Sequence, residues 1–339
     1  MNRAARTLGI ASSPHIRAGH SVERIMRNVV LALLPLVAFA VWAFGLAALA
    51  GIAVATLSCV LAEHLLCRLA GRPSTIGDWS VAITGLLYGL TLPPGLALWM
   101  VALGGFLGVA VAKFLFGGLG YNAFNPALVA RAFLQAAFPT AMTTWTPAFG
   151  AERFTTLPAS VLAAPFMRPA TDAMSGATPL ARMKFDGAST PGADLFLGLT
   201  AGSSGETCAL LILAGGLYLA ARRMLDWRIP AAILGTVALA SAVMHQLDPA
   251  RYAPPGFMLG AGGLMLGAVF MATDMVASPV TRLGVLLYGA LIGTLVVAIR
   301  YWGGLPEGVM YAILLGNAAS PHLDRLIQPV AFGARGRRR

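Results

Sequence analysis

Apolar residues in this 339-residue chain come in repeated runs of about 15–22, separated by short polar breaks in which arginine predominates. A helix that crosses a hydrocarbon layer about 30 Å thick needs about 20 mostly apolar residues, and fewer where it is buried or broken. Ten spans follow, at 28–46, 47–67, 78–92, 95–116, 123–138, 206–224, 229–246, 257–274, 281–300 and 307–321, of which the third, fifth and tenth are short. With 58% apolar and 11% charged residues, the chain is excluded from the water-soluble globular class. It has 39 glycines and 21 prolines but no Gly-X-Y period, which excludes collagen. The expected fold class is therefore an all-α polytopic membrane protein.

The net charge of +11 would suggest a nucleic-acid partner in a soluble protein, so the placement of the 24 basic residues decides its meaning. With both termini on the cytoplasmic side, that side collects 17 of the 24, including Arg68, Arg72, Lys113, Arg222, Arg223, Arg228 and the terminal arginines. Arg251 and Arg300 fall in short outer connections, Arg131 lies inside a span, and four sit in 139–205, a loop too long for the charge rule. The chain divides accordingly into a cytoplasmic N-terminal segment 1–27, a five-helix bundle 28–138, an outward loop 139–205, a second five-helix bundle 206–321 and a basic tail 322–339. No small-residue cleavage site follows the first apolar run, so the first helix is expected to stay as an anchor. Residues 15–28 read either as a short amphipathic helix at the inner surface or as a solvated tail.

At an offset of 186 residues, Gly117-Gly118-Leu119 falls on Gly303-Gly304-Leu305, Val111-Ala112 on Val297-Ala298, and Pro93 on Pro279. The third to fifth spans would then repeat as the eighth to tenth with opposite orientation, the plan of many transporters. The fifth span opens Phe124-Asn125-Pro126-Ala127, with Asn125 suited to cap a helix and Pro126 to its first position. Its length suggests a half-crossing helix whose positive end faces an anion or a polar cofactor, although an ordinary cap at the membrane surface fits equally.

Cys59, Cys67 and Cys208 are too scattered for a zinc or iron–sulfur site, and the five histidines do not cluster, so no metal site is expected. Any redox role needs an organic cofactor or metals held by a partner. The most informative segment is Asp172-Ala173-Met174-Ser175-Gly176-Ala177-Thr178-Pro179 in the outward loop. Small residues around Thr178 would let a bulky group approach its hydroxyl, and Asp172 could polarise that hydroxyl or position a metal during modification. A threonine before proline is also an ordinary helix N-cap, and the residues taken alone favour that reading.

The Ser-Gly-Ala-Thr motif, Ser13-Pro14-His15-Ile16-Arg17, Phe124-Asn125-Pro126-Ala127, Ala272-Thr273-Asp274 with Ser278-Pro279-Val280-Thr281, and Gly303-Gly304 before Pro306 occur in order with apolar spans between them. Together they resemble the NqrB/RnfD family of membrane subunits of ion-translocating redox complexes, from about Ser13 to Gly333, and the length favours the Rnf branch. The resemblance implies FMN on Thr178 through a phosphoester, made from FAD by a flavin transferase, with Asp172, Ser175, Gly176 and Ala177 completing the acceptor pattern. It further implies a second, non-covalent flavin such as riboflavin, and about ten transmembrane helices with repeats similar to urea-transporter folds. The end partners would be ferredoxin and NAD⁺, and the iron–sulfur and flavin subunits would belong to the same complex. The chain would then be a multi-pass protein of a bacterial inner membrane with 139–205 periplasmic, a translocase subunit inactive alone and without catalytic side chains of its own.

Ionisable groups in spans are costly and often functional. Asp274 is a candidate for a cation path, or a carboxylate at a loop edge; Glu63 and His64 read as a solvated helix end; Arg131 would meet a flavin phosphate, a carboxylate or backbone carbonyls. Composition and repeats equally allow a solute channel or secondary transporter with no redox cofactor.

Overall fold

Long apolar runs become long helices because a backbone in lipid can satisfy its hydrogen bonds only within itself. The computed structural model describes residues 21–165, 167, 176–188, 190–206 and 208–328. Among these residues there is no strand. The helices are α1 (Val22–Phe44), α2 (Leu46–Leu69), α3 (Ser80–Leu90), α4 (Leu98–Val109), α5 (Pro126–Ala137), α6 (Pro139–Met142) and α7 (Pro179–Asp186). They continue with α8 (Gly192–Leu197), α9 (Ala209–Ala221), α10 (Arg228–Leu247), α11 (Pro255–Gly260), α12 (Leu264–Leu266), α13 (Arg282–Trp302) and α14 (Val309–Leu326). A π-helical turn extends α4 over Ala110–Phe114, and another extends α12 over Gly267–Met271.

Four helices, α1, α2, α10 and α13, are long and apolar enough to cross a bilayer, and α3, α9 and α4 with its π turn are shorter apolar helices. Leu57 and Leu61 of α2, Leu239 of α10 and Leu286 and Leu287 of α13 are exposed on the outside of the bundle. A leucine surface of this kind is at home in hydrocarbon, and the chain is a multi-pass membrane protein. The run at 257–274 is not one helix: it breaks at Ala261–Gly263 between α11 and α12. Nor is there a separate helix ending near Asn28. Val22–Asn28 are the first turns of α1, started by Ser21, whose side chain accepts the Arg24 N–H at 3.2 Å, while 15–20 fall outside the described residues.

The bundle has two distinct ends. At one, Ile25, Met224, Pro279 and Val285 line a common cavity and Asp324 of α14 accepts the Val280 N–H at 3.1 Å. The start of α1 and the end of α14 therefore share a face. At the other, the loop after α6 folds over the α1–α2 turn, where Phe149 N–H donates to Ala43 at 2.8 Å and Leu46 N–H to Arg153 at 2.9 Å. The two ends also fix the sense of α4 and α13. The first N–H of α4, on Leu98, bonds Val161 in this loop, whereas α13 begins beside Val280 on the opposite face, so the two helices run antiparallel.

Small residues let the long helices close on one another. A Cβ on Gly85 of α3 would lie 2.5 Å from Thr56 Cα of α2, and one on Gly289 of α13 would lie 2.5 Å from Ala232 Cβ of α10. Gly235 of α10, by contrast, has nothing within 4 Å of where a Cβ would stand. Overpacking a helix contact typically costs about 1–3 kcal/mol. Gly289→Leu is thus expected to lower the thermal unfolding midpoint of the detergent-solubilised protein by several degrees, with Gly235→Leu leaving it within about a degree of wild type.

Candidate functional site

Thr178 sits where Pro179 fixes the first turn of α7. Its backbone is extended (φ −67°, ψ 154°), and its hydroxyl oxygen accepts the Ala181 N–H at 3.2 Å, so the residue is the N-cap of the helix. Gly187, in the left-handed region at φ 67°, ends that helix one turn past Met183. The cap leaves Thr178 half-buried, at the rim of a pocket also lined by Trp145, Leu180, Gly202, Glu206, Gly262 and Glu307. Just before it, Gly176 donates its N–H to Trp145 O at 2.9 Å, and Ala177 is exposed. Asp172 and Ser175 lie outside the described residues.

Two devices fix the pocket floor. Lys184, in the last turn of α7, donates to the backbone carbonyls of Arg300 (3.0 Å), Gly303 (2.5 Å) and Leu305 (3.0 Å), so its three donors cap the end of α13 and tie α7 to it. Burial lowers the pKa of this ammonium from the ordinary lysine value, and the carbonyl dipoles favour the charged form. Beneath lies a buried set of four charges. Arg131 of α5 donates to Glu206 at 3.2 Å and stands 3.7 Å from Glu307, and Arg300 of α13 stands 3.6 Å from Glu307. Arg300 also donates to Met258 O (2.6 Å) and Ala261 O (2.8 Å), and Glu307 accepts the Gly263 N–H at 2.6 Å.

The charge pattern of the sequence puts Arg300 in an outer connection, but its side chain is 1% exposed. Arg131 meets carboxylates, one of the partners expected for it. Glu206 and Glu307 belong to no motif. Their only signal in the sequence is that each carboxylate stands at the start of an apolar run.

The opposite face holds a second polar group. Asp274 follows the π turn and accepts from Asn122 Nδ2 at 3.2 Å and from the Val276 N–H at 3.0 Å, half-buried against a cavity that Asn125, Ser80 and Lys113 also line. Asn125 caps α5 through the Ala127 N–H (3.0 Å) and donates its amide to Met271 O at 3.2 Å, so α5 begins inside the bundle. Asn317 of α14, its amide set so that its oxygen accepts the Asn125 N–H (3.1 Å), donates to the Tyr288 hydroxyl at 2.7 Å. Glu63 is no solvated helix end. It pairs with Lys113 at 2.6 Å, is also bonded by Thr75, and is 3% exposed, whereas its neighbour His64 does face outward. Cys59, Cys67 and Cys208 are free and buried, and no group of metal-ligating side chains occurs among the described residues.

Hydrogen bonds to a charged group contribute about 1.5–3 kcal/mol. Lys184→Met removes three at once, and amide exchange across α7 is expected to show its opening free energy lowered by about 2 kcal/mol or more, with exchange in α13 before Ile299 unchanged.

The chain matches the profile of the NQR2, RnfD, RnfE family over residues 9–333. It is 41% identical over 336 residues to the D subunit of the proton-translocating ferredoxin:NAD(+) oxidoreductase complex of Clostridium ljungdahlii, covering 96% of each chain. It is also 41% identical over 330 residues to the D subunit of the Na(+)-translocating ferredoxin:NAD(+) oxidoreductase complex of Acetobacterium woodii, covering 96% of this chain and 95% of the relative. To the D subunit of the ion-translocating oxidoreductase complex of Halorhodospira halophila it is 38% identical over 341 residues, with 96% and 95% covered. The match spans both helical halves and the loop that carries Thr178, and the chain belongs to the NQR2, RnfD, RnfE family.

Proposed function

We propose that this chain is a membrane subunit of an ion-translocating, ferredoxin- and NAD-linked redox complex of the Rnf type, and that it relays electrons through FMN esterified to Thr178. The observation that carries the flavin reading is the situation of Thr178, an N-cap hydroxyl at the mouth of a pocket that leaves no room for a side chain at Gly262. A Cβ on Gly262, at φ 68°, would come within 2.6 Å of both Glu307 Oε1 and Leu180 Cδ1. A phosphoester on an N-cap oxygen is also well placed electrostatically, because the unpaired N–H groups and the dipole of the first turn of α7 favour negative charge by about 0.3–1 kcal/mol. Thr178, Gly176 and Ala177 would hold the phosphate end, Trp145 and Leu180 would wall the site, and Asp172 and Ser175 complete the acceptor pattern. Bound there, FMN supplies electron-transfer chemistry that no side chain of this chain offers.

The same reading orients the molecule. The face that gathers the start of α1, Arg222, Arg223, Arg228 and the end of α14 is cytoplasmic, and 139–205 is periplasmic, at a bacterial inner membrane. About ten spans in two inverted halves accommodate the antiparallel α4 and α13, each closed by a diglycine at Gly117-Gly118 and Gly303-Gly304, with α5 and α14 following. The sequence offset of 186 also pairs α3 with the π turn after α12, so the halves would differ most where Asp274 sits. Asp274, with Asn122 and Asn125, belongs to a cation path in this scheme. Two relatives of equal identity are named for different ions, H⁺ and Na⁺, so overall similarity does not choose between them. Iron–sulfur and flavin subunits are the redox partners, a flavin transferase matures the chain, and a second, non-covalent flavin such as riboflavin belongs to the same scheme.

The test is denaturing electrophoresis of membranes from cells that also express the transferase. Wild type and Thr178→Ser are expected to show in-gel flavin fluorescence at this chain's mass, and peptide mapping of 171–184 to show the added FMN. Thr178→Ala is expected to lose both. Fluorescence that survives Thr178→Ala would overturn the assignment.

A further inference from the structure

The pocket under Thr178 is asymmetric in charge. Glu206 and Glu307 line it, whereas Arg131 and Arg300, which neutralise them, do not. All four side chains are withdrawn from water, at 10% exposure for Arg131, 6% for Glu206, 20% for Glu307 and 1% for Arg300. With both carboxylates ionised the set sums to zero, but a group inside the pocket meets the carboxylates first. Charge interactions grow as distance shrinks and are weakly screened where water is excluded, so the nearer pair dominates.

We propose that Glu206 and Glu307 hold down the reduction potential of the pocket's electron carrier, with Arg131 setting how far, an inference that rests on the flavin reading above. An electron delivered by the low-potential partner adds one negative charge to the carrier, and the carboxylates oppose that addition more than the guanidiniums assist it. None of the four reacts. Each acts through the field that it fixes at the carrier, as a positioning residue does. Their geometry is over-determined in the way such a role requires. Arg300 is held by Met258 O and Ala261 O, Glu307 by the Gly263 N–H, and Gly262 by the absence of room for a side chain.

The experiment is a redox titration of the full-length, flavinylated protein in nanodiscs at one fixed pH. Glu206→Gln is expected to raise the midpoint potential and Arg131→Gln to lower it. Each should change the one-electron equilibrium about tenfold, which reads as about 59 mV. Arg131→Lys keeps the charge and is expected to stay close to wild type, and the Glu206→Gln/Arg131→Gln double variant to fall between the singles. Glu307→Gln, expected to shift the midpoint upward, supplies an independent arm if Arg131→Gln does not fold. Shifts of the same sign in Glu206→Gln and Arg131→Gln, no shift in Glu206→Gln or Glu307→Gln, or Arg131→Lys behaving as Arg131→Gln would overturn the proposal in favour of a packing role. A wild-type protein with no covalent flavin would overturn the flavin reading and this inference together, whereas flavin present with like-signed shifts overturns this inference alone.

Discussion

Within a hydrocarbon layer every backbone N–H and C=O must find its partner in protein, and this requirement decides where the chain can be irregular. The four long helices α1, α2, α10 and α13 satisfy it internally along their length and need outside partners only at their ends. The broken elements satisfy it only with help from neighbours. At the two π turns the ladder lengthens by one residue, Leu115 N–H reaching Ala110 O and Ala272 N–H reaching Gly267 O. The start of α5 is served by the Asn125 side chain, whose amide also takes up Met271 O. Those breaks are where the polar side chains cluster: Lys113 stands in one π turn, and Asp274 follows the other by three residues.

How much of this was legible follows from the range over which each interaction acts. Long spans are local properties of run length and were readable, as were the caps at Asn125 and Thr178, each set by a residue and the proline after it. The break in 257–274 carried a local signal too, the glycines Gly260, Gly262 and Gly263, but the apolar count around them outweighed it. Pairing was not legible. Glu63 finds Lys113 50 residues away and Arg131 finds Glu206 75 residues away, distances at which no sequence period operates. Lys113 and Arg300 therefore read as topological charge, one for each face, although both are engaged in buried contacts. The basic bias of the sequence rests more on the exposed arginines at the ends of helices, and it does not depend on these two.

Buried ion pairs are poor stabilisers, since the cost of desolvation can exceed the attraction, and well-packed apolar residues often do as well. The Arg131–Glu206–Glu307–Arg300 set therefore calls for an explanation other than stability. Part of the answer lies in α5. Its 12 residues reach only about 18 Å, too short to cross the layer, yet one end carries the Asn125 cap against Met271 and the other side carries Arg131 against two carboxylates. A full-length helix could hold Arg131 at that depth, but it could not also begin inside the bundle, with Asn125 capping its first turn and reaching Met271 O. The short helix does both. It sets the two polar sites at a fixed separation along one rigid element, and the burial of four charges is the condition for placing one of them, Arg131, behind the pocket that Thr178 overlooks.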